Sequence, residues 1–391
     1  MSLSLDKTTW KRVTLKEVVR HVTDRVDAEA SGLERFLAGE HIPSGNLSIT
    51  DWGIIGRDPI GPMFYKRFKP GHVLYVSRRT YLRKVAVPEF EGITGEKTFV
   101  LETLDENLLL QEFLPFVLSA ERFHAYAIAH SRGSVNPYLN WGELAAYEFD
   151  LPPLDEQRRL ADLLWAIERH RLEAAKSASA QAAAEAVWTR EVLAECDWDL
   201  RLQDVVRADR PLCYGVVQPG VDVEEGVGLV RVMDLESGSP VLGQLKRIAP
   251  EIDRQYRRSR IAAGDVLVSI VGTIGRTWLV TADFEGCNIA RALARISPNP
   301  ELMSAEFLSW VLASPRVAAA LETAAFESAR KTLNLSVLAG ILLPSVSVDL
   351  QTSLLEHRAT FTAAREHARI EIEALLNLRT SLLAELFGGT E

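Results

Sequence analysis

Leu151-Pro152-Pro153-Leu154-Asp155-Glu156-Gln157-Arg158-Arg159-Leu160-Ala161 joins two kinds of chain. Before it lie short apolar runs punctuated by Gly, Pro and Asn. After it comes a stretch free of Gly and Pro that continues to about Glu195. Pro152-Pro153 cannot continue a preceding helix, and Asp155 and Glu156 suit the positive end of a new one. Leu160, Leu163, Leu164 and Ile167 form an apolar stripe at helical spacing, and Ala174, Ala175, Ala178 and Ala182 then permit close approach of another helix. About 190 residues later Leu343-Pro344-Ser345-Val346-Ser347-Val348-Asp349-Leu350-Gln351 opens a second such stretch, about Asp349 to Phe387. Leu354, Phe361, Ala368, Leu375 and Leu382 recur there at strict sevens, which is coiled-coil spacing, and Gly388-Gly389 ends it. Helices of about 40 residues each extend roughly 60 Å and exceed what one domain usually buries. The two are expected to pair antiparallel, as a spacer between globular units.

The doubling extends outward from these helices. Trp10-Lys11-Arg12-Val13-Thr14-Leu15 and Trp198-Asp199-Leu200-Arg201-Leu202 each open a half. Midway, Gly71-His72-Val73-Leu74-Tyr75-Val76-Ser77 and Gly264-Asp265-Val266-Leu267-Val268-Ser269 each present a turn feeding a buried strand. Leu139-Asn140 and Leu333-Asn334 precede the two Leu-Pro elements, and Gln157 and Gln351 follow them. Matched landmarks in one order indicate an internal duplication. The expected fold is α+β: two mixed α/β globular domains, residues 1–152 and 197–345, and two long helices, 153–196 and 346–391, that pair as an antiparallel coiled coil with pseudo-two-fold symmetry.

At 391 residues, 47% hydrophobic and 25% charged, the chain has the size of two domains and the composition of a globular protein. The sequence shows neither a membrane-length apolar run nor a signal-peptide core at its start, so a cytoplasmic location is expected. Cys196, Cys213 and Cys287 are odd in number and lack metal-ligand spacing, so they are expected to be free thiols. A net charge of −9 argues against coating nucleic acid unaided, because Lys and Arg supply most non-specific affinity. A DNA-binding role then needs local basic surfaces or a basic partner.

Catalytic constellations fail one by one. Asn136-Pro137-Tyr138 lacks the second Pro of the Asn-Pro-Pro-Tyr element of adenine methyltransferases. In Gly95-Glu96-Lys97-Thr98 a carboxylate interrupts what would be a phosphate loop. No HExxH or GxSxG motif occurs, so no catalytic residue or metal site is expected. What remains is basic and aromatic clusters beside the buried strand of each half. The first half holds Tyr65, Lys66, Arg67, Arg78, Arg79, Tyr81, Arg83, Lys84, Arg132 and Ser134. The second holds Arg257, Arg258, Arg260, Thr273, Arg276, Arg330 and Lys331. Such side chains position phosphates and read base edges, and arginine reads guanine bidentately.

The Leu-Pro-Pro-Leu-x-Glu-Gln element joined to a long helix, the Gly-Asp-Val-Leu strand and the two-copy plan together resemble the specificity (S) subunit of type I restriction-modification systems, across essentially the whole chain. The resemblance implies that each globular domain is a target recognition domain reading one half of a bipartite sequence in double-stranded DNA. It implies that two modification (methyltransferase) subunits dock on the coiled coil and hold S-adenosylmethionine, and that restriction subunits using ATP and Mg join them. Gln157, Leu160, Leu164, Ile167, Gln351, Leu354, Phe361, Leu375 and Leu382 are then expected in the coiled coil or facing partner subunits. The chain departs from the pattern in two places: its second Leu-Pro element has extra residues before Gln351 and no Glu, and His72 stands where the second half has Asp265. A scaffold that joins protein partners without touching DNA is the competing expectation, favoured by the acidic charge.

Overall fold

The computed structural model describes residues 5–236, 238–326 and 332–388. The chain divides into two compact units, one of residues 1–177 and 367–391, the other of residues 178–366, so that each long helix contributes to both.

In the first unit Val73–Val76 lies inside an antiparallel sheet of order Val19–His21, Thr98–Thr103, Val73–Val76, Val85–Ala86. A second sheet runs Gly53–Ile54, Arg35–Leu37, Gly92–Gly95, Phe64–Phe68, with Arg35–Leu37 parallel to Gly92–Gly95. Alternate side chains of a strand point to opposite faces, so Val73 and Tyr75 enter one core and Leu74 and Val76 another. That two-sided burial explains an unbroken apolar run where a half-exposed strand would alternate.

The second unit repeats the plan. Val266–Ser269 sits in the order Cys213–Tyr214, Leu293–Ile296, Val266–Ser269, Thr277–Leu279, and Val227–Val230 runs parallel to Asn288–Ile289 in a companion sheet. Each unit also has an antiparallel ribbon joining its opening to its Leu-Pro strand: Lys11–Thr14 with Glu148–Leu151, and Leu200–Arg201 with Leu342–Leu343.

The turn before each central strand shows how unlike residues perform one task. Gly71 and Gly264 both adopt a left-handed φ, 82° and 84°, which suits a residue without a Cβ. In the next position His72 Nδ1 accepts the backbone N–H of Lys69 at 3.2 Å, and Asp265 Oδ2 accepts that of Ala262 at 2.8 Å. The His72 departure noted in the sequence therefore preserves the turn.

The long helices run Leu154–Ala194 and Val348–Phe387. Gln157 and Gln351 are both fully buried near their N-terminal ends. Gln157 Oε1 accepts the N–H of Leu110 (2.9 Å), and its Nε2 donates to the carbonyls of Leu108 and Pro152, both at 2.8 Å. Gln351 Oε1 accepts the N–H of Ser304 (2.9 Å), and its Nε2 donates to the carbonyls of Leu302 and Val346 at 2.9 and 3.1 Å. The same three bonds recur at matching chain positions, which carries the duplication to the level of single atoms.

Within the first unit the helices pack antiparallel: Glu168 meets Arg379 at 2.6 Å and His170 meets Glu371 at 2.7 Å. Within the second, Glu185 meets Arg358 at 2.9 Å and Arg365 at 2.6 Å. The apolar stripe does more than pair helix with helix. Leu160, Leu164, Ile167 and Leu382 are buried in the core of the first unit, with Leu375 packed against it, and Leu354 packs against the core of the second. Phe361 lies 5.7 Å from the ring of Trp188. Gln157, Gln351, Leu160, Leu164, Ile167 and Leu382 thus face inward and tie helix to domain rather than presenting a surface to a partner. No helix among the described residues is long and apolar enough to cross a membrane, and no acidic, His or Cys group among them is arranged to hold a metal ion. The three cysteines are free thiols.

Candidate nucleic-acid interface

Where the central strand of the first unit ends, two loops are zipped together. Leu139 N–H donates to the Ser77 carbonyl at 2.9 Å, Arg78 bridges to Tyr138, and Arg79 N–H donates to the Pro137 carbonyl at 2.6 Å. Arg132 bridges to Tyr138 from the other side, closing the loop around Gly133. Asn136-Pro137-Tyr138, a near miss for a methyltransferase element, is therefore part of a turn bound to an arginine loop. Lys97 stands over the Tyr138 ring at 5.2 Å, and Tyr81 and Ser134 are exposed nearby in sequence. Beneath the loops lies a cavity of about 240 Å³ lined by His21, Tyr65, Ser77, Lys97, Tyr138 and Asn140 among others. Burial pushes the His21 imidazole down to about 4, so it is neutral at pH 7.

The second unit has the same junction. Leu333 N–H donates to the Ile270 carbonyl at 2.9 Å, and Val271 bridges to Thr332 as Arg78 does to Tyr138. A pocket lined by Tyr214, Val271, Arg291, Thr332 and Asn334 opens there. The loops also close alike: Val76 N–H donates to the Lys84 carbonyl at 3.1 Å, and Ser269 N–H to the Arg276 carbonyl at 2.9 Å. Lys84 therefore corresponds to Arg276, and the second loop is one residue shorter. Both loops turn two left-handed corners. In the second unit these are Gly272 (φ 81°) and Gly275 (φ 82°); in the first they are Arg79 (φ 55°) and Arg83 (φ 53°). Those two arginines are the only non-glycine residues with positive φ among the described residues.

Ion pairing sorts the basic residues. Lys66 is 7% exposed and its ammonium donates to the carbonyls of Glu96 (2.6 Å) and Thr98 (2.9 Å). Burial lowers its pKa to about 8. The strand Phe64–Phe68 turns positions 66 and 68 inward, a period-two signal that the sequence already contained. Arg67 pairs with Glu91 at 2.8 Å, Arg83 with Glu121 at 2.6 Å and Arg132 with Glu143 at 2.5 Å, while Lys84 donates to the Gly39 carbonyl at 2.5 Å. In the second unit Arg260 is held by Asp253, and Arg276 donates to the Leu235 carbonyl at 3.2 Å. Arg257 and Arg258 sit on a separate short turn and are exposed, as is Thr273 on the corner loop. Arg330 and Lys331 lie outside the described residues. Arg78, Arg79, Arg257 and Arg258 are exposed and have no ion-pair partner among the described residues. An exposed single-contact pair such as Arg67–Glu91 is worth only about 0–1 kcal/mol, so that arginine can exchange a carboxylate for a phosphate at little cost. Lys97, Asn136, Tyr138, Tyr214 and Arg291 were not legible as site residues, because single polar residues become a site only when loops distant in sequence meet.

This geometry can be set beside known proteins. Residues 44–182 match the type I restriction modification DNA specificity domain. The matched segment includes the Arg78–Lys84 corner loop, the 131–140 loop and the Leu-Pro-Pro junction of the first unit. Over 204 residues, 51% of the chain, the protein is 39% identical to the EcoBI specificity subunit of Escherichia coli, and the match spans 43% of that relative's length. The fold is shared more widely. A solved chain of a type I R-M system superposes with a TM-score of 0.62 at 19% identity, covering 98% of this chain and 99% of the other. The type I S subunit from M. genitalium gives 0.61 at 14% identity, with 100% of both chains covered. The chain is thus similar to type I specificity subunits in sequence over half its length, and in fold over nearly all of it.

Proposed function

We propose that this chain is the DNA-reading, non-catalytic subunit of a type I restriction-modification system. Each unit reads one half of a bipartite target in double-stranded DNA through its strand-end loops. The paired helices fix the unspecified gap, and their rise suits half-sites about one to two DNA turns apart. Two modification subunits dock beside the helices and methylate adenine with their own S-adenosylmethionine, restriction subunits join them with ATP and Mg, and the assembly works in the cytoplasm. The observation that carries the reading is the recurrence, in both units, of one loop junction bearing exposed basic or hydroxyl side chains, within a chain whose residues 44–182 match a DNA specificity domain. The partner subunits supply the basic surface that a chain of net charge −9 lacks.

The test is single-molecule methylome sequencing of the host with and without this gene. Loss of adenine methylation at one bipartite motif of fixed gap supports the reading. The acidic charge favours a second one, a scaffold that joins protein partners without touching DNA. It is discriminated by titrating DNA onto the reconstituted complex at rising salt, where a scaffold gives no salt-sensitive binding.

A further inference from the structure

Resting on the DNA-reading function above, we infer that Arg79 reads a guanine in the half-site of the first unit and that Asn136 is its positioning residue. Arg79 occupies a left-handed corner (φ 55°, ψ 57°), a conformation disfavoured for any residue with a Cβ. It is held there from two sides: its backbone N–H donates to the Pro137 carbonyl at 2.6 Å, and its Nε donates to Asn136 Oδ1 at 2.8 Å. The brace leaves both terminal nitrogens without a hydrogen-bond partner among the described residues, on an exposed side chain.

A guanidinium fixed through Nε and free at its two Nη groups is the fork that meets O6 and N7 of guanine in the major groove. A phosphate needs only a cation within reach, whereas a base edge needs one held in direction. Arg78 next door has the exposure without the brace, which suits a backbone contact. Arg83, at the other left-handed corner, has both terminal nitrogens on Glu121 at 2.6 Å. In the second unit Gly272 holds the corner that Arg79 holds here, so the half-site of that unit is read without an arginine at this position.

The experiment expresses Arg79→Gly, Asn136→Ala and Asn136→Asp full-length chains with their partner subunits and sequences the methylomes. Arg79→Gly gives the first corner the glycine of the second and relieves the backbone, so its thermal midpoint should hold or rise. Its motif should become degenerate at one G·C pair of one half-site, discrimination there falling roughly ten- to hundred-fold, with the other half-site and the gap unchanged. Asn136→Ala should relax the same pair to a lesser degree, and Asn136→Asp, which keeps an acceptor, should retain it. An intact motif methylated more weakly everywhere would make Arg79 a phosphate contact and overturn the inference, as would degeneracy at an A·T pair or no change. A wild-type chain that directs no methylation to any motif would instead overturn the function on which the inference rests.

Discussion

Gln157 and Gln351 make the same three hydrogen bonds in the two units, while the corner loops after the central strands differ at nearly every side chain. The first loop turns its corners on Arg79 and Arg83, the second on Gly272 and Gly275. The two halves therefore agree where a helix is fastened to its domain and diverge where the loops gather at the surface. Agreement follows from cost: a buried glutamine that satisfies three backbone groups cannot change without stranding them. The loops keep only the backbone path and leave its side chains free to differ.

The strongest challenge to that equivalence lies at the turn before the central strand. Asp265 is buried with Arg210 at 2.7 Å and Arg295 at 4.0 Å, whereas His72 faces Glu102 at 3.9 Å. Asp265→His should cost about 3 kcal/mol in denaturant unfolding, because it takes the carboxylate away from half-buried Arg210 and buried Arg295, and His72→Asp, which unpairs no arginine, should cost less. Gln157→Leu and Gln351→Leu should each cost about 3 kcal/mol by the same method, and unequal losses would break the claim that the two helix starts are alike. Acid separates the units more gradually. Burial holds His21 and His124, both in the first unit, at about 4, below the ordinary 6.5, so the unfolded chain binds more protons between those values. Stability should fall as pH drops from 6.5 towards 4, and hydrogen exchange should show the first unit opening before the second. Smallest is the exchange at the corner: Gly272→Arg should lose about 1 kcal/mol on entering a left-handed φ, and Arg79→Gly should change stability by less than about 0.5 kcal/mol, relief of strain offsetting the entropy of glycine.

Much of the fold was legible because its signals are local. The Leu-Pro junctions, the long Gly-free helices and the Gly-started strands each carry their own punctuation, and the helices Leu154–Ala194 and Val348–Phe387 coincide within a residue with the Gly- and Pro-free stretches from about Asp155 to Glu195 and from about Asp349 to Phe387. The candidate site was legible only in outline. Lys66 belongs to a basic run in sequence, yet strand alternation turns it inward with Phe68. Gln157 was expected in the coiled coil or on a partner-facing surface, and its burial depends on Leu108 and Leu110 being brought against the helix start. Arginine gives no sign of a left-handed corner by itself. Aligning the two halves supplies that sign, since glycines stand opposite Arg79 and Arg83.

The claim that each unit reads one half-site is tested most directly by replacing residues 197–345 with the corresponding segment of a relative whose methylated motif differs, and sequencing the resulting methylome. The account predicts a hybrid motif in which one half-site is new, the other is unchanged and the gap between them is kept. A motif changed in both half-sites, or in neither, would contradict it.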